Sequence, residues 1–79
     1  MKGEKAMADI TFDVLEHLGT LSENPKGWTK ELTMVSWNER KPKFDIREWS
    51  PNYTKMSKGV TFTVEELKEL KTILNQLDL

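Results

Sequence analysis

The chain has 79 residues and no cysteine, which excludes disulfides, thiolate metal sites and cysteine nucleophiles. Its only histidine is His17, with no acidic cluster of metal-ligand spacing around it. Neither a metal centre nor a catalytic imidazole is therefore expected. No glycine-rich phosphate loop is present, and Ser22, Ser36, Ser50 and Ser57 lack the surroundings of a nucleophile elbow. No enzymatic activity and no cofactor are expected. No apolar run approaches the ~18 residues a membrane helix needs, and no signal-peptide pattern opens the chain. A cytoplasmic protein that stays off the membrane is expected.

With 37% hydrophobic and 32% charged residues, the chain is globular rather than disordered but modestly cored. It has room for one small domain, and pairing with a second copy is one way to supply the missing apolar burial. A net charge of −1 hides an uneven distribution. Residues 1–25 carry −3, residues 26–58 carry +4 and residues 59–79 carry −2. The middle segment holds Lys26, Lys30, Arg40, Lys41, Lys43, Arg47, Lys55 and Lys58 against Glu31, Glu39, Asp45 and Glu48. A local basic face matters more to an anionic partner than the global balance does.

Residues 1–7 read as a polar leader and 8–79 as one domain. Ile10, Phe12 and Val14 alternate with Thr11 and Asp13, which predicts a strand. The alternation slips at Val14 and Leu15, and a bulge near Val14–Glu16 or near Gly19 would accommodate the slip. A helix over 12–18 is the competing reading, disfavoured by Thr11, Phe12 and Val14. Residues 23–27 form a turn, and a second strand runs from Trp28 to Trp37. There Leu32 and Met34 are the better core pair, which leaves Val35 and Trp37 on the open face. A loop over 38–42 leads to a third strand, 43–49. Residues 50–53 turn, 54–58 form an exposed basic connector, and 59–62 make a short fourth strand. Thr63 and Glu66 then form a capping box, with Phe62 and Leu67 as a hydrophobic staple. Leu67, Leu70, Leu74 and Leu77 repeat at helical spacing, with Ile73 widening the stripe. This stripe is core or a seam between two copies of the chain. The expected fold is α+β: a curved four-stranded antiparallel sheet followed by one C-terminal amphipathic helix, ββββα.

The third strand, Lys-Phe-Asp-Ile-Arg-Glu-Trp, alternates strictly. Phe44 and Ile46 leave one face, and Lys43, Asp45, Arg47 and Trp49 the other. Two cations and an indole on one face suit a surface that holds phosphates while bases stack on it.

The run Asp45-Ile46-Arg47-Glu48-Trp49, and the run Lys58-Gly59-Val60-Thr61-Phe62-Thr63 that opens the helix, resemble the transcriptional coactivator positive cofactor four family. The similarity is greatest to its bacterial YdbC-like branch, whose runs Gly27-Trp28-Thr29-Lys30-Glu31-Leu32 and Val35-Ser36-Trp37-Asn38, together with Trp49-Ser50-Pro51, also resemble. The resemblance spans roughly residues 8–75. It implies a homodimer joined through helix and sheet ridges, with single-stranded DNA bound along the concave sheet with little sequence specificity. Arg47 is similar to the family's phosphate-contacting arginine and Lys58 to its lysine before the last strand. Trp49 falls at or within one residue of a stacking aromatic, and Trp37, Lys41 and Lys43 lie in a hairpin where the family places another aromatic and lysines.

The expected nucleic-acid residues are thus Lys26, Trp28, Lys30, Trp37, Lys41, Lys43, Arg47, Trp49 and Lys58. Trp28 either stacks on a base or plugs the end of the core. The expected dimer or core residues are Leu67, Leu70, Ile73, Leu74 and Leu77. Such a protein would be nucleoid-associated and serve transcription, replication or repair, with proteins of those processes as further partners. Nothing in the sequence reads a 2′-hydroxyl, so single-stranded RNA is not separated from DNA. A protein-interaction adaptor is the alternative of another class. Two departures stand out: Glu39 sits where bacterial relatives resemble Asn-Gly, and the 50–57 connector is shorter than in eukaryotic members.

Overall fold

The computed structural model describes residues 11–79; the leader and the strand start at Ile10 lie outside them. Four strands, β1 (Phe12–Glu23), β2 (Thr29–Trp37), β3 (Lys43–Trp49) and β4 (Val60–Phe62), precede the helix α1 (Val64–Asn75). They form one open antiparallel sheet in the order β1-β2-β3-β4. The predicted ββββα architecture is the observed one, and the competing helix over 12–18 is strand.

The slip in β1 is a repeated device. Register shifts against β2 fall between Val14 and Glu16, between His17 and Gly19, and between Thr20 and Ser22. Each inserts one unpaired residue, and all three are leucines: Leu15, Leu18 and Leu21. Bulges bend a strand and strengthen its twist. They also break strict alternation, so a strand whose polar residues fall on both faces still lays down leucines at every third position.

Two tight turns fix the hairpins. Between β1 and β2, Asn24 Oδ1 accepts from the backbone of Lys26 and Trp28 at 2.9 and 3.0 Å, and Gly27 takes φ 86°. Between β2 and β3, Asn38 and Glu39 both have positive φ, 50° and 63°. Arg40 N donates to Trp37 O at 2.9 Å, as in a type I′ turn. Glu39 thus holds a left-handed conformation that glycine adopts at lower cost. Replacing Glu39 by glycine is expected to stabilise the domain by about 1 kcal/mol. The melting temperature should rise by roughly 4–8 °C, and an unchanged or lower value would contradict the turn assignment.

The two sheet faces are packed differently from the sequence expectation. Leu32, Met34, Phe44 and Ile46 face α1 but remain half-buried, and no residue of α1 is fully buried. The fully buried side chains Glu31, Thr33, Val35, Asp45 and Trp49 lie on the opposite face. Val35 and Trp49, expected on an open face, are therefore core residues. The reason is cover. Phe12 of β1 and Tyr53 of the connector pack over Trp49, with ring centroids 5.5 and 6.0 Å away.

The connector is correspondingly not a loose strap. Ser50 N donates to Lys55 O and Ser57 N to Glu48 O, and Met56 bridges back to Trp49. Lys55 and Lys58 stay exposed, but Met56 and Ser57 turn inward.

Candidate nucleic-acid interface

The aromatic face begins as an alternation in β2 and β3. Antiparallel register sets Glu31 opposite Arg47, Thr33 opposite Asp45 and Val35 opposite Lys43. Asp45 and Arg47 are two residues apart on one strand and so share a face. Arg47 Nε donates to Asp45 Oδ1 at 2.6 Å and Nη2 to Oδ2 at 2.8 Å, a bidentate pair. Thr61 Oγ1 donates to the same carboxylate at 2.9 Å. The remaining nitrogen, Nη1, reaches Met56 Sδ at 3.3 Å and Ser57 O at 3.4 Å. The flat guanidinium lies 4.6 Å from the centroid of the Trp37 ring, within cation–π range.

Around this assembly opens a cleft of about 450 Å³ lined by Trp37, Arg47, Met56, Ser57, Lys58 and Thr61. A second cleft of about 480 Å³ shares Arg47, Ser57 and Lys58 with it and adds Lys30 and Glu48. Trp37, Arg47 and Lys58 are thus brought together; Lys30, on the other face of β2, reaches only the second cleft. Lys41 and Lys43 stand exposed at the Trp37 end of the sheet. Lys26 and the half-buried Trp28 lie at the other end of β2, roughly 30 Å away at ~3.3 Å per strand residue.

Two expectations need correction. Trp49 has no exposed surface, so it is not a stacking platform in this chain; Phe12, Tyr53 and Met56 occupy its surroundings. Arg47 is not a free cation, because the buried Asp45 beside it already matches its charge and its fork.

A second polar hub supports the face from below. The Glu31 carboxylate, 1% exposed, accepts from Thr29 Oγ1 and Tyr53 OH, both at 2.5 Å. It also pairs with His17 Nδ1 at 3.0 Å. Burial alone would push the Glu31 carboxyl up, but the bonds from Thr29, Tyr53 and His17, with the imidazole's charge, hold it below the usual glutamate value. An ionised carboxylate only accepts, so His17 Nδ1 carries the proton. The bond donated to Glu31, then burial, pushes the Tyr53 phenol up. Tyr53 sits at φ 59°, a left-handed conformation that this bond helps to fix. The hub ties β1, β2 and the connector together.

Sequence reasoning missed Phe12, Tyr53 and Met56 as parts of this face, and missed the buried, bonded roles of Glu31 and Asp45. Asp45 carried a signal, the same-face spacing with Arg47. Tyr53 and Met56 carried none, since both lie in irregular chain.

A family model described as Transcriptional Coactivator p15 (PC4) matches residues 24–73. This stretch runs from the first hairpin turn into α1 and contains every cleft residue. The chain is also similar to an uncharacterized protein of Treponema pallidum (strain Nichols), 46% identical over 71 residues that cover 90% of this chain and 84% of that protein.

Proposed function

The chain belongs to the transcriptional coactivator p15 family, a family that points to nucleic-acid binding in transcription. From that premise we propose that it binds single-stranded DNA with little sequence preference and acts as a binding module rather than an enzyme, with single strands exposed in the bacterial nucleoid as its targets. The observation that carries this reading is the Trp37 cleft. It sets one half-buried indole near cations, where a base can stack while Lys58, Lys41 and Lys43 follow the phosphates and Lys30 stands at the adjoining cleft. Counterions released by those lysines would make affinity fall with salt. Stacking would tolerate any base, because each has a π-face. A duplex, whose bases already stack on one another, would bind more weakly.

The test is tryptophan fluorescence during titration with a twenty-nucleotide oligo-dT at several salt concentrations. Trp37→Ala is expected to lose about 1–3 kcal/mol of binding and most of the quenching. Trp49→Phe should leave both intact, because that ring is sealed off. Equal losses from the two substitutions would refute the assignment of the platform.

The protein is further proposed to act as a homodimer. Leu15, Leu18 and Leu21 are 53%, 42% and 60% exposed, and Ile73, Leu74 and Leu77 are 49%, 44% and 52% exposed. Leu21 lines an apolar groove of about 400 Å³ with Leu32, Ile46, Leu67, Leu70 and Leu74. Monomers rarely leave this much contiguous apolar surface in water, and a second copy offers a matching stripe. Sedimentation should give a dimer at micromolar concentration, with Leu74→Glu shifting it to monomer; a wild-type monomer would end this proposal.

A further inference from the structure

We infer that Arg47 acts as a positioning residue for the Trp37 platform rather than as a phosphate contact. The inference rests on the single-strand reading above and refines it. Three features of the geometry lead to it. Asp45, fully buried, takes Nε and Nη2 of the guanidinium in a bidentate pair. The pair has no net charge, so it contributes little to an anion's attraction. Nη1 is turned inward toward Met56 Sδ and Ser57 O, and the Arg47 side chain is only 13% exposed. Four of the five guanidinium N–H groups are engaged, which leaves a single Nη2 hydrogen and not the two-pronged fork a phosphate takes.

What the guanidinium does present is its flat face, 4.6 Å from the Trp37 centroid. Trp37 is the last residue of β2. The indole N–H has no hydrogen-bond partner among the described residues. Phe12, tilted at 46° and 5.9 Å away, touches the ring but does not lie flat on it. Among the described residues the Arg47 plane is the cation that lies over the ring, and Asp45, itself bonded by Thr61, holds that plane together with Met56 and Ser57. A base stacking on the opposite side of Trp37 then meets a ring already in place, which lowers the cost of ordering. Lysine cannot replace this, since it lacks both the fork and the plane.

The experiment measures anisotropy of a labelled oligo-dT against salt for the wild type, Arg47→Lys, Asp45→Asn and Lys58→Gln, each confirmed folded by circular dichroism. Acrylamide quenching of Trp37 is read in a Trp28→Phe background without DNA, because Trp49 is shielded. Lys58→Gln is expected to reduce the slope of log K on log salt by about 0.7, the value of one single-strand phosphate. Arg47→Lys should weaken binding about tenfold with an unchanged slope, and raise acrylamide access to Trp37. Asp45→Asn, which leaves the guanidinium but frees its charge, should steepen the slope by about 0.7.

The inference is overturned if Arg47→Lys keeps wild-type affinity and shielding, or if Asp45→Asn leaves the slope unchanged. Absence of salt-dependent binding by the wild type overturns the single-strand reading instead, and the inference with it. In that case the acrylamide result still reports whether Arg47 holds the ring.

Discussion

Replacing Glu31 by alanine is expected to remove about 4 kcal/mol of folding stability, from the loss of hydrogen bonds to a charged acceptor worth ~1.5–3 kcal/mol each. Thr29 Oγ1 and Tyr53 OH would lose their acceptor in a region that excludes water, and leaving donors unsatisfied there is the larger part of the cost. The His17 contact contributes less, since the imidazole is 48% exposed and water screens the pair. Small domains have total stabilities of roughly 5–15 kcal/mol, so the alanine variant should lose about a quarter or more of its stability and melt well below the wild type. Glu31→Gln keeps the shape and some acceptor capacity while removing the charge, and separates the two effects. Because the folded carboxyl sits below the usual glutamate value, its stabilisation is present above the unfolded pKa of ~4.3 and is lost as pH falls through the folded value. Wild-type melting temperature should therefore decline below about pH 4.3, and the glutamine variant should decline less over the same range. Urea midpoints that fall in parallel for the two proteins would remove Glu31 from the acid limb.

The second large effect is expected at Gly59. It precedes β4 and runs against β3, where an added Cβ would stand 2.3 Å from Arg47 Cβ and 2.4 Å from Ile46 O. Neither neighbour is the free end of a flexible side chain. The backbone of β3 or the start of β4 must move, and overpacking of this kind costs about 3 kcal/mol. The direction of the movement matters for function. Gly59 lies between Lys58 and Val60 and touches Arg47, so displacement disturbs the cleft at two of its lining residues. Gly59→Ala should melt at least 10 °C below the wild type, at ~4–8 °C per kcal/mol for a domain of this size. It should also bind single strands less well at temperatures where it is still folded. A melting curve that overlays the wild type would show that the strands are further apart in solution.

The clefts owe their form to a covering of the aromatic face. Phe12, Trp37, Trp49, Tyr53 and His17 make a continuous chain of ring contacts, with successive centroids 5.9, 5.5, 6.0 and 4.7 Å apart by way of Phe12, Trp49 and Tyr53. The two members expected to stack on bases stand at different depths in this chain. Trp49 is in its interior and Trp37 at its rim. A small sheet does not leave a whole aromatic face in water, and Phe12 of β1 and Tyr53 of the connector close over Trp49.

Everything local was legible in the order of residues. Alternation in residues 43–49 placed Lys43, Asp45, Arg47 and Trp49 on one face, because strand side chains have a period of two. Thr63 and Glu66 marked the start of α1: Thr63 N donates to Glu66 Oε1 at 2.8 Å and Glu66 N donates to Thr63 Oγ1 at 3.1 Å. The strand order follows from hairpins whose turn residues are adjacent in the chain.

Long-range packing selects which of two chemically equal tryptophans meets solvent, and whether Arg47 is a free charge. Both depend on segments distant in sequence. Phe12 comes 37 residues before Trp49 in the chain and covers it through the bulged β1. Glu31 and Tyr53 are 22 residues apart and fold the connector inward through one carboxylate. Alternation tells which face a side chain leaves; what then covers that face is set by chain that periodicity does not describe.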